Sequence, residues 1–199
     1  MEKTLQLISP ITVDGTTHTT LTMARPTVMD QIVIKTKYGT AANPKFNDDG
    51  DQYDELETDI GMFARLTDQP IAVIEELDDC DFEALSALYI ELSNPITVAD
   101  EDKLPLGHIP LGVPLGDLGM LTMRAPKVRD HLWLKTHYGT AKQPKKAKQR
   151  AGVYDDLDRD IAMFARLTEQ DETTINGLDW GDWGKCARMY RKLSQRSKS

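Results

Sequence analysis

The chain has 199 residues, 40% of them hydrophobic and 28% charged, with a net charge of −8. That composition is ordinary for a soluble globular protein, and no apolar run nears the roughly 18 residues needed to span a bilayer. The opening residues, MEKTLQLISPITVDG, hold neither a continuous apolar stretch nor a small-residue cleavage site, so no secretory signal is expected.

The chain opens with a hairpin pattern. Ile11-Thr12-Val13, then Asp14-Gly15, then a Thr-rich run to Leu21 predict two strands joined by a type I′ turn. A helix is predicted from Pro26 or Thr27 to Tyr38, closed by Gly39 at positive φ. A polar loop leads to a helix containing DIGMFARLT (Asp59 to Thr67). There Leu56, Ile60, Phe63 and Ala64 fall at i, i+4, i+7 and i+8, an apolar stripe widened by Met62 and Leu66, which predicts a core helix. IAVIEEL reads as one short helix, and Asp78 or Asp79 as the cap of a last helix reaching Leu92.

The same succession then repeats. LTMARPTVMD (Leu21 to Asp30) matches LTMRAPKVRD (Leu121 to Asp130), KTKYGTA (Lys35 to Ala41) matches KTHYGTA (Lys135 to Ala141), and DIGMFARLT matches DIAMFARLT (Asp160 to Thr168). PITVDG at Pro10 and PITVAD at Pro95 pair the starts, so Ile96-Thr97-Val98 is the expected first strand of the second copy. A long loop near 99–120, with the tight turn lost, is then expected before Leu121. The reading is a tandem duplication: an α+β, mostly α, fold of two similar units. Each is a small N-terminal β-hairpin followed by about four helices, with boundaries at 1–93 and 94–199. Charge divides unevenly. Residues 1–100 hold 6 Lys/Arg and 19 Asp/Glu, net −13, and residues 101–199 hold 18 and 13, net +5. Opposite signs suggest attraction, including self-association between acidic and basic repeats.

No catalytic constellation stands out. G-x-S-x-G, Walker, H-E-x-x-H and paired C-x-x-C motifs are lacking, and His18, His108, His131 and His137 do not recur between copies. The chain reads as non-enzymatic, with no cofactor and no metal. FNDDGDQYDE places Gly50 too early for an EF-hand, and the matching loop is basic. That basic run, Lys145 to Arg150, lacks the interleaved aromatics of a nucleic-acid site and reads as a solvated loop. Cys80 and Cys186 occupy non-equivalent places and read as reduced thiols of a cytoplasmic protein. The candidate partner-binding residues are Arg65 and Arg166, set among apolar neighbours, and Trp180 and Trp183 of the second copy. The arginines have a structural alternative, a bridge to Asp68 and Glu169 or to Asp30 and Asp130. Trp183 in place of Phe82 reads as core filling, and Trp180 in place of Asp79 as a contact surface.

The order of Pro10 to Gly15, Leu21 to Asp30, Ala64 to Thr67 and Leu77 to Asp81 resembles the small tail assembly chaperones of Mu-like contractile-tailed phages. The second copy repeats it at Leu121 to Asp130, Ala165 to Thr168 and Leu178 to Asp182. The resemblance implies a non-enzymatic assembly factor of the host cytoplasm. It would coat the apolar tape-measure protein, and contact tail-tube subunits, until the tube polymerises, with no membrane role. The alternatives from other classes are a structural adaptor retained in the virion tail and a nucleic-acid-binding regulator using the basic second repeat.

Overall fold

A computed structural model describes residues 1–40, 43–140, 143–144 and 155–195. It is a mixed α/β structure, dominated by helix, with small two-stranded sheets. Apart from the short stretch 41–43, the chain divides into one compact unit ending at Asn94 and another beginning at Pro95.

In the first unit, β1 (Glu2–Val13) pairs antiparallel with β2 (Thr16–Ala24). Asp14 and Gly15 take φ values of 49° and 78°, the two positive angles that a type I′ turn requires. Alternation buries Leu7, Leu21 and Met23 on one face and leaves the threonines outside. The register runs from Glu2↔Ala24 to Gln6↔Thr20, shifts, and resumes at Ile11↔His18, so residues 7–10 bulge from the ladder. The strand thus begins nine residues earlier than the pattern at Ile11 suggests, because the bulge breaks the alternation.

Helix α1 (Val28–Tyr38) starts at the N-cap Thr27 and ends at Gly39, whose φ of 88° closes it as expected. Two-residue strands β3 (Gly39–Thr40) and β4 (Asn43–Pro44) follow. Helix α2 (Glu55–Thr67) is capped by Asp54 and stopped by Asp68 in the left-handed region. It packs on α1, on β2 and on α3 (Ile71–Glu75), while α4 (Asp79–Ser93) lies against β1. Met62, Phe63, Ala64 and Leu66 are buried in the core with Leu7, Leu21, Ile74 and Leu85, and Ile60 packs at its edge. Leu56 departs from the expected stripe. It lies in the first turn of α2 and is 56% exposed, because the helix enters the core only from Ile60 onward.

The second unit follows the same order of elements but corrects two expectations. Ile96-Thr97-Val98 is not a strand, and the supposed loop near 99–120 contains the hairpin itself. After a single 3-10 turn, η1 (Glu101–Lys103), β5 (His108–Leu115) pairs with β6 (Leu118–Thr122). Gly116 takes positive φ (56°) at the first central position, where type II′ turns place glycine. The tight turn is therefore kept with a different chemistry, Gly116-Asp117 for Asp14-Gly15. The PITV match misled because it lies before the hairpin, in the segment that leads to it. A bulge again interrupts the ladder between Pro110 and Leu115.

Helix α5 (Val128–Tyr138) closes at Gly139, and the minimal strands β7 (Gly139–Thr140) and β8 (Gln143–Pro144) pair beyond it. Then come α6 (Asp156–Thr168), α7 (Glu172–Asn176) and α8 (Trp180–Gln195). Ile161, Met163, Phe164, Ala165 and Leu167 of α6 are buried. The α8 helix packs on β5, as α4 does on β1. The basic run Lys145 to Arg150 lies outside the described residues.

Candidate partner-binding surface

The polar residues of the repeated motifs are engaged inside each unit. Thr27 and Asp30 form a capping box: the Thr27 backbone N–H and hydroxyl donate to Asp30 Oδ2 (2.8 and 2.7 Å), and the Asp30 N–H donates to Thr27 Oγ1 (3.3 Å). The free carboxylate oxygen Oδ1 receives Arg65 Nε at 2.6 Å. The arginine of the DIGMFARLT segment is thus held by the acid thirty-five residues earlier, on α1, rather than by Asp68 beside it. Asp68 instead closes α2 in the left-handed conformation. The pair ties α1 to α2 with a carboxylate that has lost nearly all contact with water. Removing the arginine would leave that charge uncompensated, at a cost of about 1–3 kcal/mol for a pair whose cation is still partly solvated.

The second unit elaborates the same device. Asp130 is fully buried and takes two arginines: Arg124 in a bidentate grip (Nη1 to Oδ2 2.7 Å, Nη2 to Oδ1 3.0 Å) and Arg166 Nε at 2.7 Å. The Lys127 N–H adds a fourth hydrogen bond at 2.8 Å. The hydrogen bonds from Arg124, above all, hold the Asp130 carboxyl well below the usual carboxylate range against the opposing effect of desolvation. Arg166 also lies 4.8 Å from the centroid of the Trp133 ring, a cation–π contact.

A second recurring acid was not singled out from the sequence. Asp81 accepts from the Ile8 N–H (3.0 and 3.1 Å to its two oxygens) and from the Ser9 N–H (3.2 Å). In the other unit Asp182 accepts from Gly112 N–H (2.9 Å) and Val113 N–H (3.0 Å). Both acids occupy the third position of their helix and both are buried. The bulges of β1 and β5 leave backbone donors with no strand partner, and these carboxylates supply the missing acceptors. The signal was present at Asp78 and Asp81, two acids in one helix start. Asp78 already accepts the Asp81 N–H as N-cap (2.9 Å), which frees the Asp81 side chain for the strand.

Trp183 is buried against Phe164, with centroids 4.7 Å apart, as Phe82 lies against Phe63 at 5.4 Å; it fills core, as its position suggests. Trp180 is half-buried at the start of α8 and stacks on Trp183, planes 9° apart and centroids 6.1 Å apart. Lys185, in the place of Ala84, is buried. Its Nζ donates to the Pro110 carbonyl (3.0 Å) and pairs with Asp182 (3.2 Å) and Glu101 (3.4 Å). A cleft of mixed polar and apolar lining lies beside it, bounded by the 95–103 segment and Arg188. Among the described residues no three His, Cys, Asp or Glu side chains converge as metal ligands, and no helix is long and apolar enough to cross a membrane. Several large hydrophobics are exposed among the described residues, including Ile8, Phe46, Leu56, Ile90, Met29 and Val33 in the first unit, and Leu106, Met120, Val128 and Leu132 in the second.

Residues 4–94 match the family described as phage tail assembly chaperone proteins, E, or 41 or 14. The match spans the first unit from its hairpin to the end of α4 and supports that family for it. No curated protein and no solved structure matches the chain.

Proposed function

We propose that this protein is a tail assembly chaperone of a Mu-like contractile-tailed phage. It binds the tape-measure protein in the host cytoplasm and keeps it soluble until tail-tube subunits polymerise around it. The family match over residues 4–94 carries the reading. The chemistry of the chain agrees with a binding role rather than catalysis. The aspartates and arginines of the motifs are engaged in holding helices and bulges together, and the outward-facing apolar side chains are the kind of surface that takes up an amphipathic helix. The second unit arose by tandem duplication. Two linked units raise the effective concentration of the second contact once the first has formed. The solvated edges of Arg65 and Arg166, and Trp180 backed by Trp183, are the contact residues in this reading.

Co-expression with a tape-measure segment tests the proposal. The segment is expected to stay soluble with the chaperone and to aggregate without it, and Trp180→Ala is expected to weaken the rescue while leaving helix content unchanged. Equal aggregation with and without the protein would remove the reading. Recovery of the protein in purified, assembled particles would replace it with that of a virion adaptor.

A further inference from the structure

Among the exposed hydrophobics, two pairs lie in opposite electrical surroundings. On α5, Val128 and Leu132 stand one turn apart and are 76% and 59% exposed. Arg129, His131 and Lys135 are exposed around them, and the acid of this helix, Asp130, is buried on its other side by two arginines. In the first unit, Phe46 is 60% exposed and Leu56 nearly as much. The Asn47 side-chain amide donates to Glu57 (3.4 Å), which holds the loop of Phe46 against the first turn of α2, where Leu56 lies. Asp48, Asp49, Asp51 and Glu55 are exposed around this pair, with Lys45 the neighbouring cation.

We propose that the α5 face of one copy of this chain receives the Phe46–Leu56 patch of a second copy. Each surface offers two large apolar side chains as a centre and a charged rim of the sign the other lacks. The net charges of the two halves, −13 and +5, favour the same pairing at long range. The contact joins two different surfaces: a pair linked by it once leaves one copy with a free Phe46–Leu56 patch and the other with a free α5 face, so further copies can add head to tail. The proposal is independent of the chaperone reading and is tested without any other protein.

Sedimentation of the full-length chain from about 1 to 100 µM is expected to show a rising average mass. Raising salt from about 0.05 to 0.5 M is expected to weaken the association. Leu132→Glu, which places an acid in the apolar centre of the basic face, is expected to weaken self-association about tenfold or more, as is Phe46→Ser/Leu56→Ser. The changed side chains are exposed, and circular dichroism verifies that helix content is kept. The decisive sample is a mixture of the two variants. Each retains the face the other has lost, so they are expected to form a one-to-one dimer that grows no further. A wild-type chain that stays monomeric throughout overturns the proposal. So does association that either variant leaves intact, or a mixture that fails to pair.

Discussion

Gly61 is where DIGMFARLT differs from DIAMFARLT, and replacing it by alanine tests the packing of the first unit. A Cβ at this position would stand 2.3 Å from Cε2 and Oη of Tyr38 and 2.4 Å from Cζ. Carbon contacts are comfortable near 3.5–4.0 Å, so three atoms would need more than an ångström of relief. The ring has little freedom to give it. Tyr38 is buried and meets Tyr53 edge-on at a centroid distance of 4.9 Å. Overpacking of this kind costs about 1–3 kcal/mol, against about 1 kcal/mol gained in helix propensity. The expected net loss is therefore up to about 2 kcal/mol, or up to roughly 15 °C in the melting of a unit this size. All three tryptophans lie in the second half. Helix loss seen at 222 nm without an indole change is therefore assigned to the first unit, and that transition is the one expected to move in Gly61→Ala. The second half of the test is the background Tyr38→Ala. With the ring gone, the same Gly61→Ala change keeps its propensity gain without the clash and is expected to stabilise by up to about 1 kcal/mol. An unchanged sign in the two backgrounds would refute the argument. The second unit tolerates Ala162 by a different arrangement: Tyr138 donates its hydroxyl to Glu172 (2.6 Å), which stands where the first unit has Ile71.

The buried Asp130 has a carboxyl pKa below its unfolded value, so it stabilises the second unit above about pH 4 and ceases to do so as pH falls through its folded value. Indole emission is expected to hold steady from neutrality to about pH 5 and to report loss of structure below about pH 4, and Asp130→Asn is expected to lower neutral stability and flatten that dependence. Native thiol titration is expected to give one fast thiol per chain, because Cys80 is exposed whereas Cys186 is buried with its pKa pushed up to about 12, chiefly by that burial. Two fast thiols would place α8 outside the core. Asp182→Ala removes the acceptor for two bulge N–H groups and also a partner of buried Lys185. It is expected to cost about 2–4 kcal/mol in chemical denaturation followed by indole emission, and a loss under about 0.5 kcal/mol would refute the role given to the bulge carboxylate.

What the sequence alone determined is local. The DIGMFARLT helix, the Asp-Gly turn and the stop at Gly39 follow from residue periodicity and from backbone angles that few residues adopt, and these act within a turn or two of chain. The resemblance that points to a chaperone also rests on such local patterns, Thr27 with Asp30 and Asp78 with Asp81 among them. Tertiary structure decided which partner each charge takes. Arg65 had an acid three residues away and binds one thirty-five residues away, because Asp68 must spend its conformation ending the helix while Asp30 has an oxygen free of its capping box. It decided that Asp81 and Asp182 serve the strands, since a bulge leaves no periodic trace from which its unpaired donors could be foreseen. It also placed the second hairpin at His108 to Thr122 rather than at Ile96, against a four-residue identity. It turned Leu56 outward although the stripe pointed in, because a helix of fixed period meets a core of finite extent. The apolar positions of an amphipathic helix are written in its own spacing; which of them find something to cover them depends on chain that lies elsewhere.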